Sequence, residues 1–245
     1  MRIITRRRIL DYAKQHPNAS ANLTAWITVA TAAKWQSIAD VRKVFPHADL
    51  ATVKSSKTIT IFNIAGNHHR LITAIHYNTY SIFILKSSLM PTTAKTAGKT
   101  TFKPMNATKP FLPSFAKLPK TYEALCRLHL PRTLHDEIEL EAVTEIIDLM
   151  AGHSLTADQA DYLETLAELA EAYEAANYEV PASLPPHEFL AAHLANIGMT
   201  ATQWGKLIGI DRSTASRLLR GERKFNTAHV RKTAEALSLQ ASLLI

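Results

Sequence analysis

The sequence predicts two architectures in one chain. An α+β unit comes first, helices followed by an antiparallel sheet, and an all-α region follows that ends in a helix-turn-helix. Three observations carry this. TITIFNI, RLITAIHY and YSIFILK, between residues 58 and 86, are β-branched and aromatic runs separated by AGNHH and NT, the short polar breaks of hairpins. After the polar stretch at residues 87–110 the apolar residues recur at helical spacing. In residues 186–245 single glycines cut that spacing into short helices.

Each element has its own signal. RRRILDYAKQH, residues 6–16, reads as a helix stopped by Pro17, and Asn22 is placed to cap a second helix, LTAWITVATAAKW. SIADVRKVF makes a third, ending at Pro46. In the strand RLITAIHY, Leu71, Thr73 and Ile75 fall on one face, and Arg70, Ile72, Ala74 and His76 on the other. KTYEALCRLHL and TLHDEIELEAVTEIIDLMAG are helical, the latter closed by Gly152. Thr156 opens a long helix whose stripe of Leu163, Leu166, Leu169 and Ala170 is flanked by Glu164, Glu168 and Glu171. Trp26, Trp35 and Trp204 sit at apolar-periodic positions and are expected in the core.

Charge divides the chain into three blocks. Residues 1–86 hold 12 Lys/Arg against 3 Asp/Glu, a balance of +9. Residues 133–205 hold 14 acids and no Lys or Arg, and residues 206–245 return to 8 against 3, or +5. Basic ends favour polyanion partners, and the acidic middle is suited to covering one of them within the chain. No apolar run reaches the length of a membrane span, and the basic start, MRIITRRRIL, lacks the apolar core of a signal peptide. Cys126 is alone, which fits the cytoplasm. No metal or cofactor is expected. HEFLAAH has its histidines, His187 and His193, six apart rather than at zinc-helix spacing, and TAGKT, Thr96 to Thr100, lacks the first glycine of a phosphate loop.

The most specific chemistry lies near the C-terminus. Thr200 caps TQWGKLIG, Gly209 supplies a turn, and Asp211 caps RSTASRLLRG. A helix, a tight turn and a second helix with polar residues on its early face make a DNA-reading arrangement. Arg212, Ser213, Thr214, Ser216 and Arg217 cluster where such a helix meets base edges, while Arg220, Arg223 and Lys224 lie further along and suit phosphates. Ile208, Ile210, Leu218 and Leu219 are expected to be core. Gln203, Gly209-Ile210, the run SxxSRLLRGER from Ser213 to Arg223, and AHVRKTAEALSL resemble the Cro/repressor (XRE) type of helix-turn-helix, most closely the HigA antitoxins. That resemblance implies operator DNA as partner, Gln203 among the DNA contacts, autorepression and a homodimer.

The front half carries a second resemblance. DYAKQHPNA, LTAWITVATAAKW, DVRKVFPHAD, FNIAGNHHRLITAIHYN and FILK are similar to HigB toxins of the RelE superfamily, from Ile3 to Lys86. The resemblance implies a ribosome-dependent mRNA endonuclease, cutting by attack of a ribose 2′-OH on the adjacent phosphate. Arg70 matches the family's strand arginine, expected on phosphate. Lys57 and His76 complete the candidate catalytic set, with Lys54 and His68 weaker members.

The family ends in a T-H-A-x-Y motif whose His and Tyr contribute to cutting, but after FILK this chain reads SSLMPTTAK. Stepping the reading frame back one base after Lys86 permits Val-Leu-Thr-His-Ala in place of Ser-Ser-Leu-Met-Pro, and the codons then allow the rest of that tail. Met105 would be the antitoxin's former start. The expected organisation is a tail-less HigB-like unit at 1–86, a flexible linker at 87–110, an acidic helical region at 111–180 and the helix-turn-helix unit at 186–245. The expected function is a fused toxin–antitoxin protein that binds DNA through its last unit. Its endonuclease half is impaired or neutralised; the alternative is an active endonuclease held in check by its own antitoxin half. Toxin–antitoxin pairing within one chain or between two is left open by the sequence.

Overall fold

The computed structural model describes residues 1–53, 55–89 and 113–245. Lys54, TAGKT, Met105 and the linker from residue 90 to 110 lie outside the described residues. Five strands form one mostly antiparallel sheet in the order β1-β5-β4-β3-β2, namely β1 (Arg2–Ile4), β2 (Asp49–Thr52), β3 (Thr58–Ile64), β4 (His69–His76) and β5 (Ser81–Leu89). The three expected strands are the central ones. The two short edge strands are not legible in sequence, and β1 pairs parallel with β5 although it precedes every helix. β5 also runs three residues past Lys86. Ser87, Ser88 and Leu89 stand opposite Leu71, Arg70 and His69, so the linker does not begin at residue 87.

Helices α1 (Arg7–Gln15), α2 (Pro17–Ala32) and α3 (Ile38–Val44) cover one face of the sheet. Pro17 does not merely stop α1. It occupies the first turn of α2, where its missing N–H costs nothing, so Asn22 lies inside the helix rather than capping it. Phe62, Ile64, Leu71, Ile82 and Ile84 form the sheet side of this core, under Trp26 and Trp35. The strand alternation holds, for Ile59, Ile72, Ala74, Phe83 and Leu85 point the other way, into a second core.

Every regular element described beyond residue 113 is a helix: α4 (Tyr122–Leu128), α5 (Glu137–Met150), α6 (Ala157–Asn177), α7 (Pro186–Asn196), α8 (Ala201–Ile208), α9 (Arg212–Leu219) and α10 (Thr227–Leu237), with short 3-10 turns at Phe115–Lys117 and Ala241–Leu244. The caps expected at Thr156, Thr200 and Asp211 form: the two threonines each close a capping box and Asp211 accepts an N–H bond at the start of α9, and Asp136, not expected from sequence, does the same for α5. Leu140, Val143, Ile147, Leu163, Leu166 and Ala170 of α5 and α6 fill the second core against the bare sheet face. Helix α7 docks on α2, joining the first core through Phe189, Leu190 and Leu194. His193, expected from sequence on a helix face, is instead fully buried there between Phe45 and Phe189, and His187 lies in the first turn of α7 rather than in a loop. Among the described residues no helix is long and apolar enough to cross a membrane.

Candidate functional site: the covered sheet face and the exposed helix

The acidic helices meet the basic start of the chain residue by residue. Arg8 reaches Asp148 with both ends of its guanidinium at 2.7 Å and also donates to the carbonyls of Ile84 and Leu85. Arg2 pairs with Glu171 at 2.8 Å and with Glu164. Glu174 accepts the backbone N–H groups of Arg6 and Arg7 at 2.9 and 3.1 Å. Those N–H groups are donors at the start of α1, so a carboxylate from another helix does the work of an N-cap. Burial raises the Glu174 pKa, and the two N–H bonds oppose that rise.

The three candidate catalytic residues share a sheet region but not a site. Lys57 precedes β3 and His76 ends β4, while Arg70 lies opposite Asn63, six residues further along β3. At strand rise this places Arg70 about 20 Å away. The Lys57 end is closed. The Lys57 ammonium donates at 2.6 Å to the main-chain carbonyl of Asp148, one of the last-turn carbonyls of α5 that no helical N–H reaches. The N–H of Gly152 donates at 3.0 Å to His76 Nε2, and its carbonyl accepts the N–H of Thr58 at 2.7 Å. Gly152 is required here. Its φ is +83°, and a Cβ would stand 2.4 Å from the Thr58 carbonyl oxygen.

Burial holds the Lys57 ammonium below its ordinary pKa, with the Asp148 charge pulling back. Burial, with the Lys57 charge beside it, lowers His76 to about 4. With Nε2 accepting a bond, the neutral ring carries its proton on Nδ1. His153 stacks flat on Phe115, centroids 3.9 Å apart, at the edge of the same cap.

The Arg70 end is open. One Arg70 guanidinium nitrogen donates to the side-chain oxygens of Asn63 and Asn67, and desolvation lowers its pKa while the nearby Asp49 raises it. His68 is exposed in the β3–β4 turn, whereas His69 is a buried strand residue bonded to the Tyr12 hydroxyl at 2.8 Å. Among the described residues no group of three or more His, Cys, Asp or Glu is placed to hold a metal ion.

In the last unit, α8 and α9 are joined by Gly209–Asp211 and pack closely, for a Cβ on Gly205 would lie 3.0 Å from that of Ala215. Ile208 and Leu218 are buried, with Ile210 and Leu219 packed partly against the same core. Arg212, Ser213, Arg217, Arg220, Arg223 and Lys224 are all exposed. Two of the expected contacts are engaged elsewhere. The Gln203 side-chain oxygen completes the Thr200 capping box, and the Thr214 hydroxyl donates to Asp211 at 2.7 Å. Arg220 is held by Glu222 at 2.6 Å and donates to Ser216 at 3.2 Å, while Arg217 lies 4.0 Å from the same Glu222 carboxylate.

Sequence reasoning misses Arg8, Asp148 and the Asn22–Asn196 pair. Asn196 Oδ1 accepts from Asn22 Nδ2 at 3.1 Å and from the N–H of Ala65 at 3.0 Å, tying α7 to both α2 and the β3–β4 turn. Asn22 does carry a visible signal, a polar residue inside an apolar helix, but the same signal fits a helix cap equally well. No curated protein matches the chain. Residues 19–87, from α2 to β5, match the HigB_toxin family, the RelE-like toxic component of a toxin–antitoxin system.

Proposed function

We propose that this chain is a fused toxin–antitoxin protein, in which the C-terminal helix-turn-helix binds operator DNA as a homodimer and represses its own gene, while α5 and α6 silence the toxin-like unit. The observation that carries this reading is the closed end of the sheet. The same chain that matches a toxin family over residues 19–87 supplies the Asp148 carbonyl and the Gly152 N–H that occupy Lys57 and His76. An RNA phosphate needing the Lys57 cation would have to displace the end of α5. The toxin family brings with it an antitoxin partner, and here the acidic helices take that place in cis. For the DNA half the support is the exposed basic face of α9, Arg212 and Arg217 with Ser213 beside them.

The test is an electrophoretic shift of the DNA upstream of the gene, at moderate salt. Arg217→Ala should cost about 1–3 kcal/mol on the specific site and relax its sequence preference, while Arg223→Ala should weaken all sequences alike. Equal losses for both on specific and random DNA would remove the DNA-reading assignment. The alternative, an active mRNA endonuclease restrained by its own antitoxin half, is favoured by one feature, the uncovered Arg70. Cleavage of ribosome-bound mRNA by the intact chain would establish it.

A further inference from the structure

One carboxylate sits among the cations at the end of α9. The helix stops at Leu219, and Arg220, Gly221 and Glu222 turn the chain away from it. Gly221 holds a φ of +73°, and a Cβ there would stand 2.8 Å from His187 Nε2, so the turn needs glycine. His187 belongs to the first turn of α7, which packs against α9. Past the glycine, the Glu222 N–H donates to the Arg217 carbonyl at 3.0 Å, a bond that closes the helix. Glu222 is thereby rooted against the last turn of α9, with α7 fixing the turn from behind.

From that root its side chain engages the basic residues. Arg220 donates to one Glu222 oxygen through Nε at 2.6 Å and to the other through Nη2 at 3.0 Å. This is the two-pronged geometry in which a guanidinium also grips a phosphate. Its remaining nitrogen, Nη1, donates to Ser216 Oγ at 3.2 Å. Arg217 is held more loosely, its Nε 4.0 Å from the carboxylate. The bond from Arg220, with the Arg217 charge adding to it, keeps the Glu222 carboxyl below its ordinary pKa, so it is ionised at neutral pH. All three nitrogens of Arg220 are engaged, yet the group and its partner are exposed. A phosphate can therefore reach Arg220, but only by displacing an oxyanion of similar shape and the same sign of charge.

We infer that Glu222 is a built-in competitor for DNA phosphate, which occupies Arg220 and lowers the affinity of the α9 face for every duplex alike, leaving sequence choice to Arg217. A phosphate contact at Arg220 exchanges one charge-assisted pair for another, so it adds little net affinity while the carboxylate is there. The inference rests on reading α9 as the DNA-facing helix, and it gives an acidic residue a role in that site. Arg220 becomes a conditional phosphate contact in place of a ready one.

The test is a double-mutant cycle on the full chain, with labelled duplexes of the upstream sequence and of a random sequence, followed by anisotropy at two salt concentrations. Glu222→Gln keeps the shape and removes the charge. It should bind both duplexes about 5-fold more tightly, with a log–log salt slope steeper by about 1, the signature of one more phosphate neutralised. In the Arg220→Ala background the same substitution should gain less than about 2-fold, because the cation it releases is gone. Circular dichroism melts that superimpose on the parent's certify folded variants. Unchanged affinity in Glu222→Gln, while the parent binds, would overturn the inference and leave the DNA reading standing. So would the full gain persisting without Arg220, which would mean that the carboxylate acts only through the overall charge of the face, or a gain confined to the upstream sequence, which would make Glu222 part of base readout. Absence of duplex binding by both the parent and Glu222→Gln would remove the DNA reading, and the inference with it.

Discussion

The C-terminal helices dock on the front half twice, and the two docking surfaces are built differently. Helices α5 and α6 meet a bare sheet face, with an apolar centre ringed by ion pairs from Arg2, Arg7 and Arg8, and with main-chain groups of residues 148–152 against Lys57, Thr58 and His76. Helix α7 meets α2, with apolar side chains around an Asn22–Asn196 pair, and no ion pair between α2 and α7 is present among the described residues. The first surface uses charge where the sequence put its opposite blocks. The second uses shape and one amide pair. Charge sets which segments meet, while a close main-chain fit sets which residues are occluded.

The difference can be tested by breaking each surface alone. Gly152→Val should have the largest effect, about 3–5 kcal/mol of lost stability, because a β-branched residue at positive φ would also strike the Thr58 carbonyl. Hydrogen exchange should show β3 and the end of β4 opening while the α2–α7 interface remains protected; loss of protection at both surfaces together would mean that they are one cooperative unit.

Acid should weaken both. His76 and His193 are each held near pKa 4 by burial, His193 with both ring nitrogens unpartnered. A group with a depressed folded pKa binds its proton more readily when unfolded, so the stability it contributes is complete above about pH 6.5 and is lost as pH falls towards 4. The loss is at most about 1.4 kcal/mol per pH unit for each histidine. Thermal midpoints measured across that window should fall less steeply for His193→Phe than for the parent, and parallel curves would exclude His193 as a source.

Arg8→Ala should cost about 2 kcal/mol, since it removes a two-pronged pair with Asp148 and two carbonyl contacts at the edge of β5. Denaturant midpoints check this, and Arg8→Lys should recover only part. Asn196→Ala should cost the least, about 1 kcal/mol, through the orphaned N–H of Ala65. Its signature is local, faster exchange at the β3–β4 turn with α5 and α6 unaffected.

Much of this is legible in the chain. The three central strands, the face alternation around Ile72 and the helix caps at Thr156, Thr200 and Asp211 follow from local chemistry, because each signal lies within a few residues of its effect. The edge strands are not legible, for Arg2–Ile4 becomes a strand only by lying beside β5, far along the chain. The candidate site is half legible. Lys57 and His76 do meet at one end of the sheet while Arg70 lies at the other, and Gly152, whose position in sequence marks it only as a helix terminator, is pressed against Lys57, Thr58 and Ala74.

By itself the sequence determined the order of the helices and of the three central strands, the basic–acidic–basic blocks and hence the attraction between them, since periodicity and charge are properties of residue types. Only the tertiary structure decided that Lys57 is capped and Arg70 is open. Both are basic residues around one strand pair, and nothing in their neighbours distinguishes them. What separates them is where the C-terminus of α5 comes to rest, a contact between residues about ninety positions apart that depends on one glycine having no side chain.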